Sequence, residues 1–95
     1  MVTVNSNDEL LKKCSYVAIS SYRRKVLETL KNDVKIPTKI SEESGVGIKH
    51  VNNVLTDLKE HNLIVCINED AHKGRLYRLT DEGKNVVSMI EEMGW

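Results

Sequence analysis

The hydrophobic pattern is clearest between residues 48 and 61 of the chain. At about 100° per residue, the apolar positions fall on one face of a helix, and Ile48 lies at the edge of that face. These apolar positions are Val51, Val54, Leu55 and Leu58. The opposite face is polar, and its first two turns carry Lys49, His50, Asn52, Asn53 and Thr56 without any Asp or Glu. The pattern predicts an amphipathic helix with one buried face and one polar face.

Two further helices are predicted before this one. Ser6 and Glu9 have the spacing of a capping box, so we expect a helix from Asn7. Its apolar face would carry Leu10, Leu11, Cys14 and Val17. Ser20 or Ser21 can cap a second helix that runs to about residue 31. The inward face of this second helix would carry Tyr22, Val26, Leu27 and Leu30.

A short helix and a glycine turn are predicted directly before the amphipathic helix. Residues 34–36 are Val-Lys-Ile and fit one edge strand, and Pro37 fits the first turn of a short helix. Gly45 is expected to end that helix in a left-handed conformation, with Val46 buried in the turn and Gly47 starting the next helix. A short helix, a turn with glycine and a longer helix have helix-turn-helix spacing.

A hairpin and a last helix are predicted after the amphipathic helix. Residues 63–67 form an apolar run, residues 68–74 are polar, and residues 75–79 return as a second strand. Thr80 can cap the last helix. The apolar positions of that helix are Val86, Val87, Ile90 and Met93. We therefore expect an α+β, mostly helical fold: a winged helix-turn-helix with flanking N- and C-terminal helices and a β-hairpin wing.

The 95 residues are expected to form one domain, 1–95. The helix-turn-helix would occupy about 37–62, the wing 63–79 and the C-terminal helix 80–93. No apolar run approaches the ~20 residues of a membrane span, and the first residues lack signal-peptide character, so we expect a cytoplasmic protein and no membrane partner.

The charge is balanced overall, with 14 basic and 14 acidic residues, but it is unevenly distributed. The segment 20–31 carries four basic residues against one acidic residue, and the hairpin is slightly basic. The segment 80–95 carries four acidic residues against one basic residue. This polarity suits a protein with one face on an anionic partner and the other end turned away from it.

The residues offer no catalytic or metal-binding constellation. Cys14 and Cys66 are far apart and form no CxxC motif, and we read them as core residues. The histidines His50, His61 and His72 have no i, i+4 metal-ligand spacing. We therefore predict no cofactor, no metal and no enzyme activity.

The chain resembles the MarR-like and ArsR-like winged helix-turn-helix transcriptional regulators, and most of all their small archaeal-type relatives. Residues 73–83 (KGRLYRLTDEG) resemble the wing and the following helix start of that group. Residues 21–30 resemble its first core helix, and residues 36–65 resemble its helix-turn-helix. The sequence departs from the group at Ser44, where an apolar residue is usual, and at Gly47, where Ser or Thr usually caps the helix.

The resemblance implies a homodimeric, sequence-specific regulator that binds double-stranded DNA. The recognition helix would enter the major groove, and the wing would touch the minor groove or the backbone. The expected DNA contacts are Lys49, His50, Asn52, Asn53 and Thr56 on the helix, Lys73 and Arg75 on the wing, and Arg23, Arg24 and Lys39 as further phosphate contacts. The expected dimer interface comprises Leu10, Leu11, Cys14, Val86, Val87, Ile90, Met93 and Trp95.

A winged helix that binds another protein is the alternative interpretation. The neutral net charge and the acidic residues of the wing tip, Glu69 and Asp70, favour it. The fold alone does not distinguish the two functions.

Overall fold

The computed structural model describes residues 6–94, with side chains described from residue 8 to residue 94. Within that range the chain forms five helices and one antiparallel hairpin. The elements are α1 (Ser6–Ala18), α2 (Ser21–Thr29), α3 (Pro37–Ser44), α4 (Ile48–Glu60), β1 (Ile64–Cys66), β2 (Tyr77–Leu79) and α5 (Asp81–Met93). The predicted fold class is confirmed.

The helix boundaries follow local capping chemistry. The Ser20 hydroxyl accepts a hydrogen bond from the backbone N–H of Arg23 and so caps α2. The Thr80 hydroxyl accepts from the backbone N–H of Gly83 and caps α5 in the same way. Gly45 ends α3 at φ 75°, the left-handed conformation that glycine adopts without strain. The predicted capping role of Ser6 lies outside the described side chains.

The hairpin is shorter than predicted, because each strand has three residues. β1 and β2 pair with Ile64 opposite Leu79 and Cys66 opposite Tyr77. The predicted strand over residues 34–36 is reduced to a single bridge, in which Lys35 and Tyr77 exchange two backbone hydrogen bonds of 2.9 and 3.0 Å. Because α3 begins at the next-but-one residue, no longer ladder can form there.

The core is built around the apolar face of α4. Val51 and Leu58 are fully buried, and they pack in one cluster with residues from all four other helices and from the hairpin. The helical periodicity therefore placed this face correctly. Tyr22 and Leu11 were wrongly assigned to inward positions: both are exposed, because each lies at the edge of its helix's apolar stripe.

α1 and α5 pack together and close one side of the core. Cys14 is fully buried with its Sγ 3.9 Å from the carbonyl oxygen of Val86. At the edge of this contact, Lys13 and Glu82 form an ion pair of 2.6 Å. The hydrogen bond from Lys13 lowers the pKa of the Glu82 carboxyl. The longest helices of the described range have 13 residues, and none is long and apolar enough to cross a membrane.

α5 approaches the base of the hairpin closely at a glycine. The Thr80 hydroxyl donates to the carbonyl oxygen of Asn62 at 2.7 Å. The backbone N–H of Thr80 donates to the carbonyl oxygen of Leu63 at 3.0 Å. One turn later, a Cβ on Gly83 would lie 2.0 Å from the carbonyl oxygen of Leu63. Only glycine allows this helix to lie against the backbone of the hairpin.

We predict that Gly83→Ala destabilises the protein by about 3 kcal/mol, the upper end of the usual overpacking range. In an ordinary helix interior, Gly→Ala raises the free energy of unfolding by about 1 kcal/mol. A decrease for Gly83→Ala would therefore report the clash with the backbone. Denaturant unfolding measures the difference. Gly74→Ala is the control, because Gly74 has φ 68° but open space around it and should lose only about 1–2 kcal/mol. An unchanged or raised midpoint for Gly83→Ala would contradict the close approach.

Candidate nucleic-acid interface

The first two turns of α4 present a polar surface to solvent. Lys49, His50, Asn52 and Asn53 are all exposed there. Thr56 is exposed as well, but its hydroxyl donates to the carbonyl oxygen of Asn52 at 3.1 Å. The sequence therefore located this surface correctly.

Two serines fix the turn that delivers α4. The Ser41 hydroxyl donates to the carbonyl oxygen of Val46 at 2.6 Å. The Ser44 hydroxyl accepts from the backbone N–H of the same residue at 3.1 Å. Ser44 thus has a specific role although an apolar residue is usual in the group that the chain resembles. Gly47, at the N-cap, offers no side-chain cap to the first amides of α4.

Tyr22, at the start of α2, borders this surface. Its ring lies against the ring of His50, with centroids 4.8 Å apart and planes tilted by 39°. Both side chains are exposed, so the pair forms one side of the polar face of α4. This contact was not predicted, because it joins two helices and no local sequence pattern reports how two helices pack against each other.

The wing, residues 63–79, is held in shape by Asn68. Its side-chain oxygen accepts from the backbone N–H of Leu76 at 2.6 Å and from the Cys66 thiol at 3.5 Å. Its amide group donates to the carbonyl oxygen of Gly74 at 3.1 Å. One side chain therefore ties both arms of the connection together, and the predicted polar linker is an ordered turn.

A groove of about 580 Å³ separates the start of α4 from the wing. It brings Asn52 together with Lys73 and Arg75, three of the predicted DNA contacts. Thr38 and His72 also line it, and sequence reasoning had not assigned either one to the site. Its remaining lining residues are Ile36, Pro37, Ile48, Gly74 and Tyr77. None of the lining residues is acidic, so the groove combines basic and hydrogen-bonding groups with apolar side chains.

The acidic residues of the wing tip are placed differently from each other. Glu69 forms an ion pair with Lys59, near the C-terminal end of α4. The hydrogen bond between them raises the pKa of Lys59 and lowers the pKa of Glu69. Glu69 is not among the residues that line the groove, although the nearby charge of Arg75 also lowers its pKa. Asp70 stays exposed. The charge of Glu69 is therefore compensated within the protein.

Arg23, one of the predicted phosphate contacts, also makes contacts within the protein. Its guanidinium donates to the carbonyl oxygen of Tyr16 at 2.9 Å and lies 3.8 Å from the centroid of the Tyr16 ring. The same ring stacks on His61 at 4.0 Å. Arg24 donates to the carbonyl oxygen of Ala18 at 3.4 Å. Both arginines thus satisfy carbonyl groups at the C-terminal end of α1, while Lys39 is exposed on α3.

The predicted dimer residues divide into two groups. Cys14, Val86, Val87 and Ile90 are buried within the single chain, which corrects their assignment to a subunit interface, because they form the core contact between α1 and α5. Leu11 and Met93 are 41% and 45% exposed, and Leu10 is half-buried. Trp95 lies outside the described residues.

The described residues hold no group of three or more His, Cys, Asp or Glu side chains placed to bind a metal ion. Both cysteines are buried and free. Burial raises the pKa of the Cys14 thiol, because desolvation disfavours the thiolate.

The chain belongs to the winged helix-turn-helix family. The model of that family matches residues 23–94, which span the helix-turn-helix, the wing and the last helix. No curated protein matches the sequence significantly.

Several solved structures share the fold. A MarR family transcriptional regulator from Silicibacter pomeroyi aligns over 94% of this chain and 66% of its own, with 16% identity and a TM-score of 0.69. A mutant of ZitR from Lactococcus lactis, in its apo form, aligns over 99% and 74%, with 22% identity and a TM-score of 0.70. This chain thus spans slightly less than two thirds of the MarR family regulator.

A smaller domain matches over nearly its full length. It is the homodimeric winged helix-turn-helix DNA-binding domain of a possible ArsR-family regulator from Mycobacterium bovis. It aligns over 99% of this chain and 90% of its own, with 13% identity and a TM-score of 0.71. At these identities the structures establish a shared fold.

We predict that Asn68→Ala loosens the wing while leaving the rest of the fold in place. Losing its hydrogen bonds should lower the local opening free energy of the wing by about 1–3 kcal/mol. Hydrogen exchange at the backbone amides of Ile67 and Leu76 measures this change. Asn85→Ala, on the exposed side of α5, is the control and should leave exchange unchanged. Unaltered protection of Leu76 in Asn68→Ala would show that other contacts hold the wing.

Proposed function

We propose that the protein is a sequence-specific DNA-binding transcriptional regulator. The observation that carries the proposal is the groove between α4 and the wing, where Asn52, Lys73 and Arg75 face solvent without any lining carboxylate. A polar helix face of this kind fits the major groove, and the two cations suit phosphates or the minor groove. Membership of the winged helix-turn-helix family and the shared fold of transcriptional regulators support the same function.

The N-terminal half of α4 would make the contacts that recognise DNA. Asn52 and Asn53 each offer a donor and an acceptor, which suits base edges, whereas Lys49 suits phosphate or guanine. His50 is held by Tyr22 at one side of the same surface. At the other end of the helix, Lys59 is engaged by Glu69, so contacts with DNA concentrate on the first two turns.

Binding to another protein is the second candidate function. The observation that favours it is the exposure of Ile36 and Ile48 in the groove, 36% and 46%, beside a wing tip that carries the exposed Asp70. A selection of random DNA duplexes with the purified protein separates the two. Enrichment of one sequence supports DNA binding, and no enrichment together with a salt-independent partner supports the second function.

We also propose that the protein acts as a homodimer through the outward sides of α1 and α5. Leu11 and Met93 are large apolar side chains that remain exposed on these helices, and Leu10 of α1 is only half-buried. The Mycobacterium bovis domain with the same fold is homodimeric. Two recognition helices about 34 Å apart would then match a near-palindromic site.

We predict that Lys49→Ala and Asn53→Ala weaken binding to the selected duplex without altering thermal stability, because both side chains are exposed. Losing a bidentate base contact weakens the binding free energy by about 1–3 kcal/mol. Losing a phosphate contact should reduce the slope of log K against log salt concentration by about 1. Fluorescence anisotropy at several salt concentrations measures both effects. Lys84→Ala and Asn85→Ala, on the exposed side of α5, are the matched controls. Equal losses in the α5 variants would show that α4 is not the reading element.

We predict that Leu11→Lys combined with Met93→Lys converts a dimer into a monomer, because it places charges in the proposed apolar contact. Sedimentation of the wild-type chain should give twice the chain mass of 10.8 kDa, and the double variant should give the chain mass. Val34→Lys changes an equally exposed apolar residue elsewhere and should leave the dimer intact. A monomeric wild-type chain would refute the homodimer.

A further inference from the structure

The first residue of α4 is an exposed isoleucine that the core does not use. Ile48 is 46% exposed, and it is absent from the buried cluster that takes up Val51, Val54 and the other apolar residues of α4. Its side chain contributes to the wall of the groove that holds the proposed DNA contacts. A large apolar group therefore lies on the surface where the recognition helix would meet base edges.

Asn52 lies one helical turn after Ile48 and lines the same groove. Positions i and i+4 lie on one face of a helix, about 6 Å apart along its axis. The Asn52 carboxamide makes no hydrogen bond to any of the described residues. The hydroxyl of Thr56 donates to the backbone oxygen of Asn52 and not to its side chain. Both the donor and the acceptor of its amide are therefore available to a ligand.

This pair of side chains has a specific complement in the major groove. A carboxamide forms two hydrogen bonds with adenine, one with N6 and one with N7. An apolar side chain packs on the C5-methyl group of thymine. Guanine presents only acceptors on that edge, and cytosine lacks the methyl group. Since base pairs are stacked about 3.4 Å apart, groups 6 Å apart on the helix reach bases within about two steps of each other.

We propose that Ile48 and Asn52 together select A·T pairs at the positions that face the start of α4. Ile48 contacts a thymine methyl group, and Asn52 takes the edge of an adenine within two base pairs of it. This inference rests on the proposed function and adds the base identity that the groove reads. It gives the exposed isoleucine a role in recognition rather than in packing.

Modified bases test the proposal with the wild-type protein. In the selected duplex, each thymine is replaced in turn by deoxyuridine, which lacks only the methyl group, and each adenine by 7-deazaadenine, which lacks only N7. At one thymine the loss of the methyl group should weaken binding roughly fourfold. At one adenine within two base pairs, the loss of N7 should weaken binding by about fivefold or more.

Two variants assign these effects to the two side chains. Ile48→Ala should bind the thymine and deoxyuridine duplexes equally, and Asn52→Ala should bind the adenine and 7-deazaadenine duplexes equally. Ile19→Ala and Asn85→Ala change exposed residues outside the groove and should keep the full sensitivity of the wild type. Thermal melts of the four variants should agree with that of the wild type within a few degrees.

The outcomes separate this inference from the function on which it rests. Sequence-specific binding that ignores every methyl and N7 deletion, or that keeps its sensitivity in Ile48→Ala and Asn52→Ala, overturns the inference and leaves the proposed function standing. A lowered melting temperature of Ile48→Ala with unchanged base sensitivity likewise assigns the isoleucine to packing. Binding without any preference over a scrambled duplex overturns both.

Discussion

The position of α4 in the core is the constraint on which the rest of the structure depends. Four apolar side chains anchor this helix, and burying a side chain of that size contributes about 1.5–3 kcal/mol. Because the anchors occupy one face, the rotation of the helix about its axis is fixed, and the opposite face must meet solvent. The direction in which Lys49, Asn52 and Asn53 point is thus decided by residues that never touch a ligand.

The wing depends on a second, smaller set of interactions. Asn68 sets the shape of the turn, and the bond from Arg75 Nε to the carbonyl oxygen of Ala71, 2.9 Å, restrains that basic side chain at its base. Glu69 turns to Lys59 on α4, which ties the wing to the helix. No acidic residue lines the groove between α4 and the wing, although the chain has no net charge, because the distribution of the charges matters more than their sum.

Local signals predicted most of the fold. Helical periodicity identified the buried face of α4, and Ser20, Thr80 and Gly45 marked helix ends through capping chemistry that acts over three or four residues. The length of the strands was overestimated, because β-branched residues report a preference for extended structure and not the presence of a partner strand.

The candidate site was only partly predictable, because local sequence patterns do not report contacts between separate elements. Exposure of the α4 residues follows from periodicity, and the wing cations follow from a recognisable motif. The positions of Tyr22, Arg23 and Thr38 depend on how separate helices pack. Arg23 shows the limit most clearly, since a basic residue on a helix looks the same in sequence whether it meets phosphate or the carbonyl end of a neighbouring helix.

The contact between α1 and α5 has a consequence for the order in which the chain can fold during synthesis. Cys14 lies against Val86, a residue 72 positions later, so the contact between α1 and α5 cannot form until α5 has left the ribosome. At about 5–20 residues per second, that interval lasts roughly 4–14 s. The two helices of the helix-turn-helix, α3 and α4, are neighbours in sequence and are both synthesised before α5. The face of α1 that packs on α5 therefore stays without that partner during the interval, although α1 can already contact α2 through Arg23 and Arg24.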